Sequence, residues 1–181
     1  MLDEHALARI EPLTGTRRGR IMSSMDKLAE ALRLKREQDA AASAPANEQA
    51  QQWAQALIAL FDQLESWISP LVEAGVVKIT RHSALKQESP NPGVSVSYQA
   101  PMLILEINRK TAVVQNIGLF VSGTDGRVGL IGDDKRFLIS RSLHPTESWS
   151  IATYLNIFDN VPSSERPLSE ESLAEALAHY L

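Results

Sequence analysis

Asp125, Asp133, Asp134 and His144 lie close together in the sequence and have the chemistry to hold a cation or move a proton. Neighbouring carboxylates bind Mg²⁺ or Ca²⁺, or share a proton when two crowd one site. Asp125 precedes Gly126, and Asp133 and Asp134 follow Gly132. Aspartate beside glycine is also what a tight hairpin turn uses. The reading that follows is turn formation at two hairpin tips. An acid/base or metal site would require those tips to converge on His144. The stretch lacks the ligand alternation of an EF-hand loop.

His5, His82, His144 and His179 are scattered, with no His-x-His or His-x-x-x-His pair. The chain has no cysteine, which excludes disulfides, thiol catalysis and every Cys-based metal site. Its glycine-rich stretch has no Gly-Lys-Ser/Thr ending and leads into no helix, so it matches neither a Walker loop nor a dinucleotide fingerprint. There is no Gly-x-Ser-x-Gly elbow. Ser122-Gly123 beside Asp125 is only a fragment of a triad. No motif carries a family resemblance, and none predicts a catalytic residue, a cofactor or a metal ligand.

Cations offer a second kind of chemistry. Arg17, Arg18 and Arg20 stand among Gly15 and Gly19 in a short loop that could grip a phosphate or another anion. The plainer alternative is an exposed arm, since no aromatic residue is interleaved. Further along come Lys78, Arg81, Arg109, Lys110, Arg127, Lys135, Arg136 and Arg141. Sharing a face with Tyr98 or Phe120, they would bind single-stranded nucleic acid by charge and stacking. The contact set for that reading is Arg17, Arg18, Arg20, Arg109, Lys110 and Arg127. A solvated sheet face competes with it and is favoured, because the aromatics also fit core positions.

Net charge is −4 and the isoelectric point about 5.6, unlike the basic balance of a generic nucleic-acid binder. The charge is uneven. Residues 76–141 carry nine bases and five acids, whereas residues 142–181 carry one base and six acids. A basic sheet beside acidic elements is expected. No apolar run is long enough to span a membrane. The acidic start Met1-Leu2-Asp3-Glu4 lacks a secretory pattern, which predicts a cytoplasmic chain.

The elements that would position these groups follow from periodicity. Residues 2–10 suit a short helix closed by Pro12 and Gly15. Ile21, Met25, Leu28 and Leu32 recur at spacings of 4, 3 and 4, an a/d seam on a helix from Ile21 to about Asp39. That seam is too short to hold a coiled coil alone and needs something to lie against. Ala40–Ala46 reads as a linker that Pro45 stops, with Asn47 capping the next helix. Trp53, Leu57, Phe61, Leu64, Trp67, Ile68 and Leu71, widened by Ile58 and Leu60, form its apolar face. Pro70 kinks or ends it and Gly75 suits a left-handed cap.

Beyond Gly75 the period becomes two. Seven or eight short strands are expected, with Ser89–Gly93 as a loop, Pro101 at a strand start and Asn108-Arg109-Lys110 as a hairpin. Leu119 and Val121 continue one strand's alternation, and Pro162–Pro167 reads as a polar loop. Nothing helical separates the strands, so the sheet must be an antiparallel meander. Gly123, Gly126, Gly129 and Gly132 recur every third residue, which conflicts with strand alternation and predicts turns, bulges or a strongly curved sheet. Ser169 caps a final helix whose stripe is Leu173, Leu177 and Leu181, with Leu168 stapled onto Leu173.

The expected class is α+β. N-terminal helices pack on a curved antiparallel meander closed by a C-terminal helix, with an arm and linker over 1–46 and a core over 47–181. The expected function is a non-enzymatic interaction protein. It self-associates or binds a protein partner through Ile21, Met25, Leu28 and Leu32. The alternatives are a nucleic-acid module on the basic sheet and an enzyme with a carboxylate/His site.

Overall fold

In a computed structural model, the protein is described for residues 23–133, 135–154 and 163–180. It is an α+β chain in the order α1 (Ser24–Glu73), β1 (Val77–Asn91), β2 (Val94–Ile107), β3 (Lys110–Gly118), β4 (Arg127–Ile131), β5 (Arg136–Ser142), β6 (Ser148–Tyr154), β7 (Ser163–Pro167) and α2 (Glu170–Ala178). The chain divides into two compact units between Glu37 and Gln38. No helix among the described residues is long and apolar enough to cross a membrane.

The seven strands form one antiparallel meander in sequence order, β1 to β7, with β1 and β7 as free edges. The sheet is therefore open. Alternation decides which side each residue takes. In β2, Val94, Val96, Tyr98 and Ala100 are buried in turn, then Leu103, Leu105 and Ile107. All of these but Val94 join one core with Ala50, Trp53, Leu57, Leu60, Phe61, Leu64 and Ile68 of α1, whose spacing of three and four puts them on one face. Leu173, Ala176, Leu177 and Tyr180 add the third element of the same core. Each Val, Leu, Ile or Phe side chain so taken fully out of water contributes about 1.5–3 kcal/mol. A smaller cluster of Leu138, Ala152 and Tyr154, with Ile117 against it, is separate from that core.

Several expectations are corrected. α1 does not break at Pro45; Ala40–Ala46 is helical and Pro45 and Pro70 both lie inside the element. Ala has the highest helix propensity, so this run costs little to continue, and the single N–H bond that Pro45 cannot make is outweighed by the helical turns on either side of it. Ile58 and Leu71, expected on the buried face, are 49% and 38% exposed. β2 runs straight through Pro101, which stands one residue outside the β2–β3 ladder that begins at Met102↔Gln115. That makes it an edge position on that side, where a strand tolerates proline. β1 reaches Asn91, so the loop expected over Ser89–Gly93 shrinks to a turn at Pro92-Gly93. Ser163–Pro167, expected as a loop, is the edge strand β7 and pairs Ile151 with Arg166.

Both helix ends of the core behave as their sequences predict. Gly75 takes φ of 71°, its N–H donates to Val72 O at 2.9 Å, and Val76 N–H donates to Leu71 O at 3.0 Å. This is the Schellman pattern, which pairs a residue beyond the helix end with one in the last turn, here Val76 with Leu71. At α2, Ser169 Oγ accepts from Ser172 N–H and Ser172 Oγ accepts from Ser169 N–H, a reciprocal capping box.

Candidate functional site

In the first unit, the described turns of α1 begin with their own capping box. Asp26 N–H donates to Ser23 Oγ at 3.1 Å, and Ser23 N–H donates to Asp26 Oδ2 at 2.9 Å. These bonds to Ser23 hold the Asp26 carboxyl below its ordinary value. Met25, Leu28 and Leu32 are 72%, 51% and 59% exposed. Leu34 is exposed as well. Arg33 bridges Glu30 at 2.9 Å on the same helix. The seam read from the sequence is thus helical and uncovered from Met25 to Leu32. Ile21, its first member, lies outside the described residues, as do residues 2–10 and Arg17, Arg18 and Arg20.

In the second unit, two ends of the sheet collect polar groups. At one end the β2–β3 hairpin, the last turn of α1, the start of β1 and α2 enclose a groove of about 1060 Å³. Leu71, Val76, Val77, Ile107 and Leu177 supply its apolar wall. Val77, Ile107 and Leu177 are buried, whereas Leu71 and Val76 remain open to solvent. Its polar side carries Lys78, Glu106, Arg109 and Lys110. Lys78 Nζ pairs with Glu106 Oε1 at 2.9 Å. The hairpin that presents Arg109 has Asn108 at φ 45° and Arg109 at φ 69°. Two positive φ values are what a tight two-residue turn needs to match strand twist. Asparagine and glycine accept that backbone readily, but arginine does not.

At the opposite end, Trp53 of α1 is fully buried and stacks on Trp149, with centroids 5.8 Å apart and planes 27° from parallel. The Arg141 guanidinium lies 5.8 Å from the Trp53 ring and 6.0 Å from the Trp149 ring. Its charge is met by Glu147, with Nη2 2.7 Å and Nε 2.8 Å from Oε1. Trp53 Nε1–H donates to Asn116 Oδ1 at 3.2 Å, and Asn116 Nδ2–H donates to the Tyr98 hydroxyl at 2.9 Å. The Tyr98 hydroxyl donates in turn to Glu88 Oε1. Glu88 Oε2 also accepts the Leu119 and Phe120 amides, each at 3.1 Å. Burial and the Glu88 carboxylate together push the Tyr98 phenol far above its ordinary value. This network explains why Leu119 leaves the strand alternation predicted for it. A carboxylate, not a neighbouring strand, takes its amide.

Asp125 and Asp133 both stand in bends, at opposite ends of β4, and do not meet. Asp125 Oδ2 accepts the Leu143 amide at 2.8 Å, and Asp125 N–H donates to Arg141 O at 3.0 Å. Asp125 therefore lies beside the turn containing His144. Asp133 follows the far end of β4, so the length of that strand, about 16 Å, separates it from Asp125. Asp134 falls outside the described residues. No group of three or more His, Asp or Glu able to hold a metal occurs among the described residues.

The basic residues do not share one face. Arg81 pairs with Asp62 at 2.6 Å and Glu65 at 3.2 Å on α1, which raises its pKa, and Arg141 also turns toward α1. Lys78 is on the other face of β1 with Glu106. Arg127 is only 4% exposed, with its guanidinium 5.9 Å from the Tyr154 ring and its Nε lacking a hydrogen-bond partner. Of the contact set, the described and exposed members are Arg109 and Lys110, neighbours at the groove. Sequence reading missed the groove's apolar half. Leu71 and Val76 stand on opposite sides of Gly75, and only the helix-end geometry brings them together.

The chain matches no family model, no curated protein and no solved structure.

Proposed function

We propose that this chain is a non-enzymatic interaction protein that self-associates, or binds a protein partner, through its N-terminal helical region, with residues 47–181 as the core. The observation that supports this is the exposure of Met25, Leu28 and Leu32 in a row on one helix. An uncovered apolar row of that length costs solubility unless something buries it, and each leucine so buried contributes about 1.5–3 kcal/mol. A second copy is the occupant that the charges favour. Residues 24–39 carry four bases (Lys27, Arg33, Lys35, Arg36) and four acids (Asp26, Glu30, Glu37, Asp39), so one copy does not repel another. The seam belongs to a helix of 50 residues, so the nucleation cost that defeats short isolated helices is already met.

Substituting Leu28→Glu and Leu32→Glu together tests the reading on the full chain. Both side chains are more than half exposed, so the fold is expected to survive with an unchanged melting temperature. Assembly, read by light scattering behind a sizing column, is expected to be lost. Unchanged assembly in that variant would refute the seam as the contact. The strong curvature read from the glycines belongs to the same proposal. It draws support from left-handed backbone at Gly123 and Gly126 and from the register shift between Asn116 and Gly118.

A further inference from the structure

Resting on the self-association reading of the seam, we propose that its occupant is the same seam of a second copy of this chain in antiparallel orientation, with Leu28 of each copy against Leu32 of the other. Met25, Leu28, Leu32 and Lys35 follow one another at spacings of 3, 4 and 3, so the exposed apolar row runs into a cation on the same helix face. Arg36 stands next to it. Arg33 is held by Glu30 and Glu37, whereas Lys35 and Arg36 have no hydrogen bond or ion pair among the described residues.

The charge along this stretch is segregated. Residues 24–30 carry two acids and one base, and residues 31–37 carry three bases and one acid. A parallel pair in register sets each basic half beside the other basic half, and Lys35 beside Lys35. Packed helix axes are about 8–10 Å apart, close enough for those cations to repel. The antiparallel pair removes that contact. With Leu28 opposite Leu32, Lys35 falls opposite Met25, ten residues along the helix from the other copy's Lys35. Ten residues are about 15 Å, beyond the screening length of about 8 Å at physiological salt. Each basic half then lies along an acidic half.

Lysine lays its stem on apolar surface and keeps its ammonium in water, so Lys35 covers Met25 of the other copy. Met25, Leu28 and Leu32 of each copy close into one patch around a two-fold axis, and no seam stays open for a third copy.

Disulfide crosslinking of the full chain under mild oxidation tests the orientation, because the chain has no cysteine of its own. Met25→Cys, Lys35→Cys and the double variant are compared on non-reducing gels. Both positions are exposed on the helix, so folding is expected to be unchanged. Bridged cysteines need Cα atoms within about 7 Å of each other. Met25 and Lys35 of one copy are about 15 Å apart on their helix, so any bond between them joins two copies. The double variant is expected to form crosslinked dimer at least tenfold faster than either single variant. Crosslinking of Met25→Cys or Lys35→Cys alone as fast as the double variant would show a parallel pair and overturn the proposal, leaving association through the seam intact. Slow crosslinking of all three variants in a chain that still assembles would overturn it as well. A wild-type chain that sediments as a monomer would instead overturn the self-association reading on which the orientation rests.

Discussion

The Trp53 ring lies against the backbone of Gly126 so closely that any Cβ at that position would overlap it. Gly126 also holds φ of 128°, a backbone that side chains rarely adopt. The pair fixes α1 onto the start of β4, and Arg141 N–H donates to Gly126 O at 2.9 Å from the neighbouring strand.

Gly126→Ala is therefore expected to destabilise the protein by about 3 kcal/mol, combining overpacking with backbone strain. Gly123→Ala is the internal control. Gly123 has φ of 81° but nothing within 4 Å of an added Cβ, so strain alone acts and the loss is about 1 kcal/mol. Urea unfolding of both variants measures the difference. Equal losses would show that the Trp53 contact does not hold this end of the sheet.

Glu88 is expected to organise the chain between β3 and β4. Glu88→Ala removes the acceptor for the Leu119 and Phe120 amides and for the Tyr98 hydroxyl. Hydrogen bonds to a charged group contribute about 1.5–3 kcal/mol, and the loss is expected in that range. Amide exchange at Leu119 and Phe120 should accelerate well before exchange in β2. Unchanged protection at those two amides would contradict the assignment.

The period-three glycines show how far the sequence could be read. It predicts turns, bulges or bends at Gly123, Gly126, Gly129 and Gly132. Gly123 takes a turn, whereas Gly129 pairs regularly with Gln115 and Leu138 inside β4, and the sequence does not name the rings that press on Gly126 and Gly132. Trp53 is some seventy residues before Gly126, and Tyr180 meets Gly132 from the other side of the chain. Such pairings are tertiary, and no local period encodes them. The helix face of Trp53, Leu57, Phe61 and Leu64 was legible because burial repeats at 3.6 residues. Pro45 misled because its cost is local, one lost N–H bond in an alanine-rich run, and the packed turns from Ala50 onward hold the helix across it. The groove was half legible. Arg109 and Lys110 stand out by charge, while Leu71 and Leu177 look like ordinary core leucines until the fold leaves a space between them.

Alkaline pH is expected to destabilise the protein through its buried phenols. Tyr180 donates to Lys135 O at 3.0 Å, and burial pushes its pKa from 10.0 up to about 12. Tyr98 is raised in the same direction, by burial and by Glu88. The folded values exceed the unfolded ones, so the contribution is complete below pH 10 and is lost as pH rises from 10 toward 12. Each such group steepens the decline by about 1.4 kcal/mol per pH unit in that window. Tyr180→Phe is expected to cost about 1 kcal/mol at neutral pH and to make the alkaline decline shallower. Parallel declines in the two proteins would contradict the role given to Tyr180.

Assembly through the α1 seam stands or falls on sedimentation equilibrium of the full chain over a hundredfold range of concentration. The mass is expected to rise with concentration from the 19.9 kDa monomer toward a multiple of it. The same series on Leu28→Glu/Leu32→Glu should require at least tenfold higher concentration for the same mass, about 1.4 kcal/mol weaker. A wild-type chain that stays at monomer mass throughout would contradict self-association through Met25, Leu28 and Leu32.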